Sequence, residues 1–313
     1  MKLPWFSGRR RRTAHRSTGV VISHNDPTVL IREASCSCRT KKVPLHVIKF
    51  VSDYERGMLW RLWARTDDYR ARLPANLYSH LIAFDFTAFD SMISKDINRT
   101  FPEHALFTES GHMRGALFNV LRAYALYNPD VGYCQGMGFM AGMLVLYMNE
   151  EDAFFTAISL LDKHDIKKLF LPELRQLDRY CIFVDRYVER KMGQLHAHLK
   201  AEGFSVEMIC TQWFLTLFTY NFSLEVAAQL WDNILFRDDN VLLSIAIAIL
   251  KLLEVIHAYA HFLTCTQPLL LIADQEGIQA MMKDITPYIS ADAIIDEMNK
   301  HNNSGRLRAL LTN

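Results

Sequence analysis

Strand-like alternation of apolar and polar residues is scarce in this 313-residue chain, and no proline falls between Pro172 and Pro268. Without such alternation a sheet has no face to bury, so an all-α fold is expected. No fixed-period repeat is apparent, which argues against a solenoid. Long apolar runs are missing as well. Val241 to Leu250 meets Lys251 and Glu254, and Met137 to Met148 ends at Asn149-Glu150-Glu151. Both are too short to span a bilayer, and no transmembrane helix is expected. The run Arg9–Arg12 lacks the apolar core of a secretory signal, so a cytoplasmic body is expected. Cysteine is sparse: Cys36, Cys38, Cys134, Cys181, Cys210 and Cys265. The last four sit in apolar helical contexts and read as buried thiols of a reducing compartment. Cys36-Ser37-Cys38 with His46 does not match the usual zinc spacings. His196-x-His198 puts its rings on different helix faces, so no metal site is expected.

What is present begins with charge. The formal net charge of +1 hides eleven Lys/Arg against two acids in residues 1–50, a local +9 that leaves −8 for the rest. Residues 1–42 read as a basic, disordered tail. Their expected partner is an anionic lipid surface, bound weakly; the plainer reading is a solvated leader. Nucleic-acid motifs are absent, and no nucleic-acid partner is expected. Folded sequence is expected over 43–313, in two helical lobes of about 43–165 and 166–313, divided near Asp162 to Leu171.

The helical periods are specific. Glu55–Arg65 places Met58, Leu59, Leu62 and Trp63 on one face, and Leu77, His80, Leu81 and Phe84 form a short stripe. His112–Tyr127 carries Leu117, Val120, Leu121 and Tyr124 before the turn Asn128-Pro129-Asp130. Leu177, Cys181, Val184, Val188, Leu195 and Leu199 predict one long amphipathic helix. Ser223 is a cap for Leu224–Phe236, and Val241–Leu263 reads as a central buried helix.

Two stretches depart from plain packing. In Ile93–Pro102, Pro102 disfavours helix at Phe101, so Arg99 stands at a helix terminus and projects from a rigid base. In Gly132–Gly142, four of the thirteen glycines lie within eleven residues and let backbone approach another helix or a ligand. No strand precedes this stretch and no Lys-Ser/Thr follows, so it is not a phosphate loop.

Together these stretches resemble the TBC domain of Rab GTPase activators. Ile93-x-x-Asp96-x-x-Arg99-Thr100 and Tyr133-x-Gln135-Gly136 are similar to that family's paired signatures, about 35 residues apart. Arg56-Gly57-x-x-Trp60, Trp213-Phe214 and Trp231-Asp232 resemble its other motifs, in order. The family's Gly-Ile-Pro is replaced by Phe50-Val51-Ser52, which affects only the domain start. The resemblance implies one two-lobed TBC domain that activates a GTP-bound Rab in vesicle trafficking, in the cytoplasm and peripherally at endomembranes. Arg99 would be an arginine finger and Gln135 a glutamine finger, both supplied in trans. Asp96, Thr100, Tyr133, Gly136, Arg56 and Trp60 would support the fingers or touch the GTPase. Trp60, Trp213 and Trp231 read as core anchors, and Arg56 is expected to pair with an acid inside its own lobe. No cofactor of its own is implied, since GTP and Mg2+ come with the partner. The alternative is a TBC-fold Rab-binding scaffold without activating capacity; a helical scaffold unrelated to GTPases is the third reading.

Overall fold

Ser52 caps the first described helix, α1 (Asp53–Ala64). Its hydroxyl accepts from the Glu55 N–H, and the Glu55 carboxylate accepts from the Ser52 N–H. Arg65, at φ 59°, ends the helix. The computed structural model describes residues 48, 51–108, 111–237, 240–260 and 274–302. Among the described residues every regular element is helical, as the missing alternation predicts.

The first group is α1, α2 (Thr66–Arg70), α3 (Leu77–Ile82), α4 (Asp90–Ile97), α5 (Met113–Tyr127), α6 (Met137–Tyr147) and α7 (Glu150–Asp162). A 3-10 segment, Lys163–Leu169, leads out of it. The second group is α8 (Arg175–Lys191), α9 (Gly193–Ala201), α10 (Val206–Leu215), α11 (Leu224–Phe236), α12 (Val241–Ala260), α13 (Gln275–Lys283) and α14 (Ala291–Asn302). Helix α5 packs on α6 and α7; α8 packs on α10 and α12; α1 crosses to α11 and joins the groups. Trp60, Trp213 and Trp231 are fully buried at the centre.

Several expectations are met closely. Ser223 caps α11, accepting from the Val226 N–H. Residues 241–250 of α12 are buried all round; the expected extension to Leu263 lies outside the described residues beyond Ala260. Others are corrected. The inward face of α1 is Leu59, Trp60, Trp63 and Ala64, while Met58 and Leu62 are only half-buried. Trp60 turns it, packing on Tyr147 at 4.5 Å and Trp231 at 5.5 Å. In α3 Tyr78 is the buried residue; Phe84 lies beyond the helix end and is exposed. The long amphipathic helix is two, α8 and α9. They break at Met192, before the weak helix former Gly193. All six stripe residues are buried against the core despite the break.

Cys181 and Cys210 are buried thiols as expected, whereas Cys134 is only half-buried. Cys36, Cys38, His46, Cys265 and the basic tail lie outside the described residues. No described helix is long and apolar enough to cross a membrane.

Candidate functional site

Helix α4 is anchored at both ends by carboxylates. At its start, Asp90 accepts from the Thr87 N–H and hydroxyl and from Arg122 of α5, at 3.0 Å and 2.5 Å. Burial opposes ionisation, but Arg122 and Thr87 hold the Asp90 carboxyl below its ordinary range. At its end the chain makes one more turn: the Arg99 N–H donates to Asp96 C=O and the Thr100 N–H to Ile97 C=O. The buried Thr100 hydroxyl also donates to the Asp96 carbonyl, at 2.9 Å. Phe101 then adopts φ 49°, held between Phe107 and Phe139, each with ring centroids 5.3 Å away. This positive φ, followed by Pro102, stops the helix with Arg99 on its rim.

The Asp96 side chain is 3% exposed, whereas that of Arg99 is 55% exposed. Asp96 Oδ1 accepts from Arg99 Nε at 2.5 Å. The terminal Nη atoms make no hydrogen bond among the described residues, so the open end of the fork faces outward.

The glycine-rich stretch meets this helix end. Asn128 C=O accepts from the N–H groups of Val131 and Gly132, and Gly132 takes φ 59°. The buried Tyr133 hydroxyl donates to Asp96 Oδ2, and the Gly136 N–H donates to the same oxygen at 3.3 Å. Burial and the Asp96 charge together push the Tyr133 phenol well up. Gly136, at φ 101°, opens α6. Gln135 is exposed between these two anchored neighbours. One buried carboxylate therefore holds the Arg99 guanidinium and both flanks of Gln135.

The glycines serve close helix packing. A Cβ on Gly138 would lie 2.6 Å from Thr100 Oγ1, and one on Gly142 would lie 2.6 Å from the Phe101 ring. Gly138→Ala must therefore displace the stiff Thr100 side chain and with it the Asp96 carbonyl. It is expected to cost about 1–3 kcal/mol of stability, read by thermal unfolding, and to disturb Arg99 more than an equal surface loss elsewhere.

Arg99 and Gln135 line one open groove of about 880 Å3, with Asp96 at its floor. Its opposite wall comes from the second group: Met208, Gln212 and Leu215 of α10, Tyr220, and Lys283 of α13. Met208 is 62% exposed on a helix whose other face buries Val206, Ile209, Cys210, Trp213 and Phe214. Sequence reading did not single out this wall; an apolar Met at a helical position reads as core until its neighbours are known.

The structure thus brings Asp96, Arg99, Thr100, Tyr133, Gln135 and Gly136 together. It does not bring Arg56 or Trp60 to the groove. The Trp60 indole donates to Asp232 Oδ1 at 2.8 Å, and Arg56 Nε lies 3.3 Å from the same oxygen. Arg56 also pairs with Asp53 inside its own lobe, at 3.5 Å, as expected; Asp232, on α11 in the second group, is a further partner that was not expected. The physical reason is that α1 packs across the boundary against α11. Among the described residues no cluster of three or more His, Cys, Asp or Glu is placed to hold a metal ion.

An exposed arginine and glutamine thus share one groove, and every regular element among the described residues is helical. The Rab-GTPase-TBC domain profile matches residues 55–257, and the chain belongs to that family. Rab GTPase-activating protein eat-17 of Caenorhabditis elegans is 34% identical over 189 residues, covering 60% of this chain and 21% of that protein. GTPase-activating protein GYP5 of Saccharomyces cerevisiae is 32% identical over 203 residues, covering 64% and 22%. The crystal structure of the Chlamydomonas flagellar RabGAP TBC domain matches with a TM-score of 0.69 at 25% identity, covering 88% of this chain and 90% of that one. The chain spans about a fifth of the length of these two curated relatives.

Proposed function

We propose that this chain accelerates GTP hydrolysis by a Rab-family GTPase, with Arg99 as arginine finger and Gln135 as glutamine finger. The observation that carries this reading is the shared anchor: Asp96 fixes both side chains' bases while each reaches the groove. The names of the relatives support the partner class. Hydrolysis builds charge on the phosphate oxygens and needs an oriented water. A guanidinium remains charged at a dry interface and offers a planar fork. A carboxamide offers a donor and an acceptor, so Gln135 can hold the water and the γ-phosphate together. GTPases commonly supply that glutamine themselves; here it comes in trans. GTP and Mg2+ arrive with the partner. The activity places the chain in vesicle trafficking, in the cytoplasm and at the surface of endomembranes, where the basic tail adds weak contact with anionic lipid.

The test is single-turnover hydrolysis against a panel of GTP-loaded Rabs. A responsive Rab whose own switch glutamine is replaced by Ala or Leu is expected to remain appreciably stimulated. Gln135→Ala is expected to remove most stimulation while binding to the GTP form survives. Complete insensitivity of the glutamine-substituted Rab would reduce Gln135 to a structural residue. Binding without stimulation across the panel would favour the scaffold reading.

A further inference from the structure

Helix α8 carries a second charged feature, remote in role from the finger groove. Leu177, Cys181, Val184 and Val188 are its buried stripe. On the opposite side Arg179, Arg186 and Arg190 are exposed. At 3.6 residues per turn, these three with Ile182 and Phe183 fall within an arc of about 100° and along about 17 Å of axis. The acids of the helix, Asp178, Asp185 and Glu189, fall together on one flank. Asp185 is engaged by His196 at 3.1 Å. Arg179, Arg186, Arg190 and the neighbouring exposed Lys191 have no ion pair or hydrogen bond among the described residues. Glu189, one turn from Arg186, forms no bridge to it. Like charges at i,i+4, as at Arg186 and Arg190, destabilise a helix slightly; the helix dipole favours Arg190 and Lys191 in the last turn, but no side-chain partner neutralises them among the described residues.

Apolar groups sit inside this basic face. Ile182 is 50% exposed among the arginines, and Phe183 and Tyr187 are half-buried beside them; all three line, with Arg179, Arg186 and Arg190, one open hollow of about 1050 Å3. A lone exposed apolar side chain is ordinary on a protein surface; what sets Ile182 apart is its place within the run of unpaired arginines. We infer that the outward face of α8 is a docking surface for an anionic lipid bilayer. The cations are spread too far along the helix for one phosphate to meet them all, whereas a lipid surface presents many. Arginine stems reach along apolar surface while their heads meet headgroups. Ile182 and the ring edges enter the interfacial layer, as such side chains do on membrane-surface helices. A soluble polyanion would satisfy the arginines and leave Ile182 unused, which favours the bilayer. This face belongs to the folded body and acts independently of the tail and of the fingers.

The test uses the full chain and vesicle co-sedimentation, comparing phosphatidylcholine vesicles with vesicles that also contain phosphatidylserine. The triple variant Arg179→Gln/Arg186→Gln/Arg190→Gln is expected to lose at least about tenfold of the phosphatidylserine-dependent partitioning. Ile182→Ser, which leaves charge unchanged, is expected to lose a smaller, several-fold share. Both variants change exposed side chains, so melting temperature and stimulation of a soluble Rab should match wild type. Partitioning of the triple variant equal to wild type would assign all lipid contact to the tail and overturn the inference. So would a wild-type protein with no preference for phosphatidylserine. RNA or polyglutamate binding lost in the triple variant, with vesicle binding unchanged, would overturn the bilayer in favour of a soluble polyanion.

Discussion

Arg99→Ala is expected to lower GTPase stimulation by about 10³–10⁵-fold, roughly 4–7 kcal/mol of transition-state stabilisation. Asp96 takes Nε, so the fork presents its two Nη groups outward from a fixed stem. Arg99→Lys is expected to fail almost as badly. One ammonium can satisfy Asp96 or reach a phosphate oxygen, but the planar fork does both at once. Single-turnover hydrolysis with saturating activator separates this loss from any loss of binding. Asp96 remains tied to Tyr133 and Gly136 in these variants, so the fold and the Gln135 loop should persist. Wild-type stimulation by Arg99→Ala would sink the mechanism.

Asp232→Ala is expected to give the largest loss of stability away from the groove. The substitution strips the Trp60 indole of its acceptor and leaves Arg56, 14% exposed, facing an apolar gap. Removing one member of a buried pair costs about 3–5 kcal/mol. Arg56 keeps Asp53 at 3.5 Å, so the lower end applies. In a domain of this size about 3 kcal/mol corresponds to a fall of roughly 6–12 °C in Tm. Thermal unfolding reads it, and a change within error would refute the idea that this contact joins the helix groups.

The same carboxylate adds a pH dependence. Burial raises Asp232 from 3.8 to about 6, against the opposing pull of Arg56 and the Trp60 N–H. Its Oδ2 has no hydrogen-bond partner among the described residues. A raised carboxyl binds its proton more tightly folded than unfolded. Its contribution is therefore fully present below about pH 4 and declines as pH rises toward 6. Asp232→Asn is expected to flatten that part of the stability curve.

Much of the site was legible because its signals are local. Pro102 marks the end of the Arg99 segment, and Gly132 and Gly136 mark backbone with positive φ, through sterics that act over one or two residues. Asp96 was legible only as a neighbour of Arg99. Its bonds to Tyr133 and Gly136 span 37 and 40 residues and have no periodic trace. Arg56 was legible as a cation needing an acid of its own lobe, and Asp53 is one; its buried second partner, Asp232, lies 176 residues away and left no local trace. The groove wall of Met208, Tyr220 and Lys283 was not visible at all.

The sequence by itself determined that the chain is helical, where several of its helices begin or end, and that Arg99 and Gln135 stand at a helix terminus and in a glycine-rich loop. Caps, breakers and apolar period act within a turn or two, so they can be read along the chain. Tertiary structure alone decided which faces meet. Packing of α1 against α11 brought Asp232 to Arg56, and the meeting of the α4 end with the loop before α6 gathered Arg99 and the flanks of Gln135 around one carboxylate. An apolar stripe specifies that a helix face is buried; its burial partner is set by how the helices' ridges and small residues interlock.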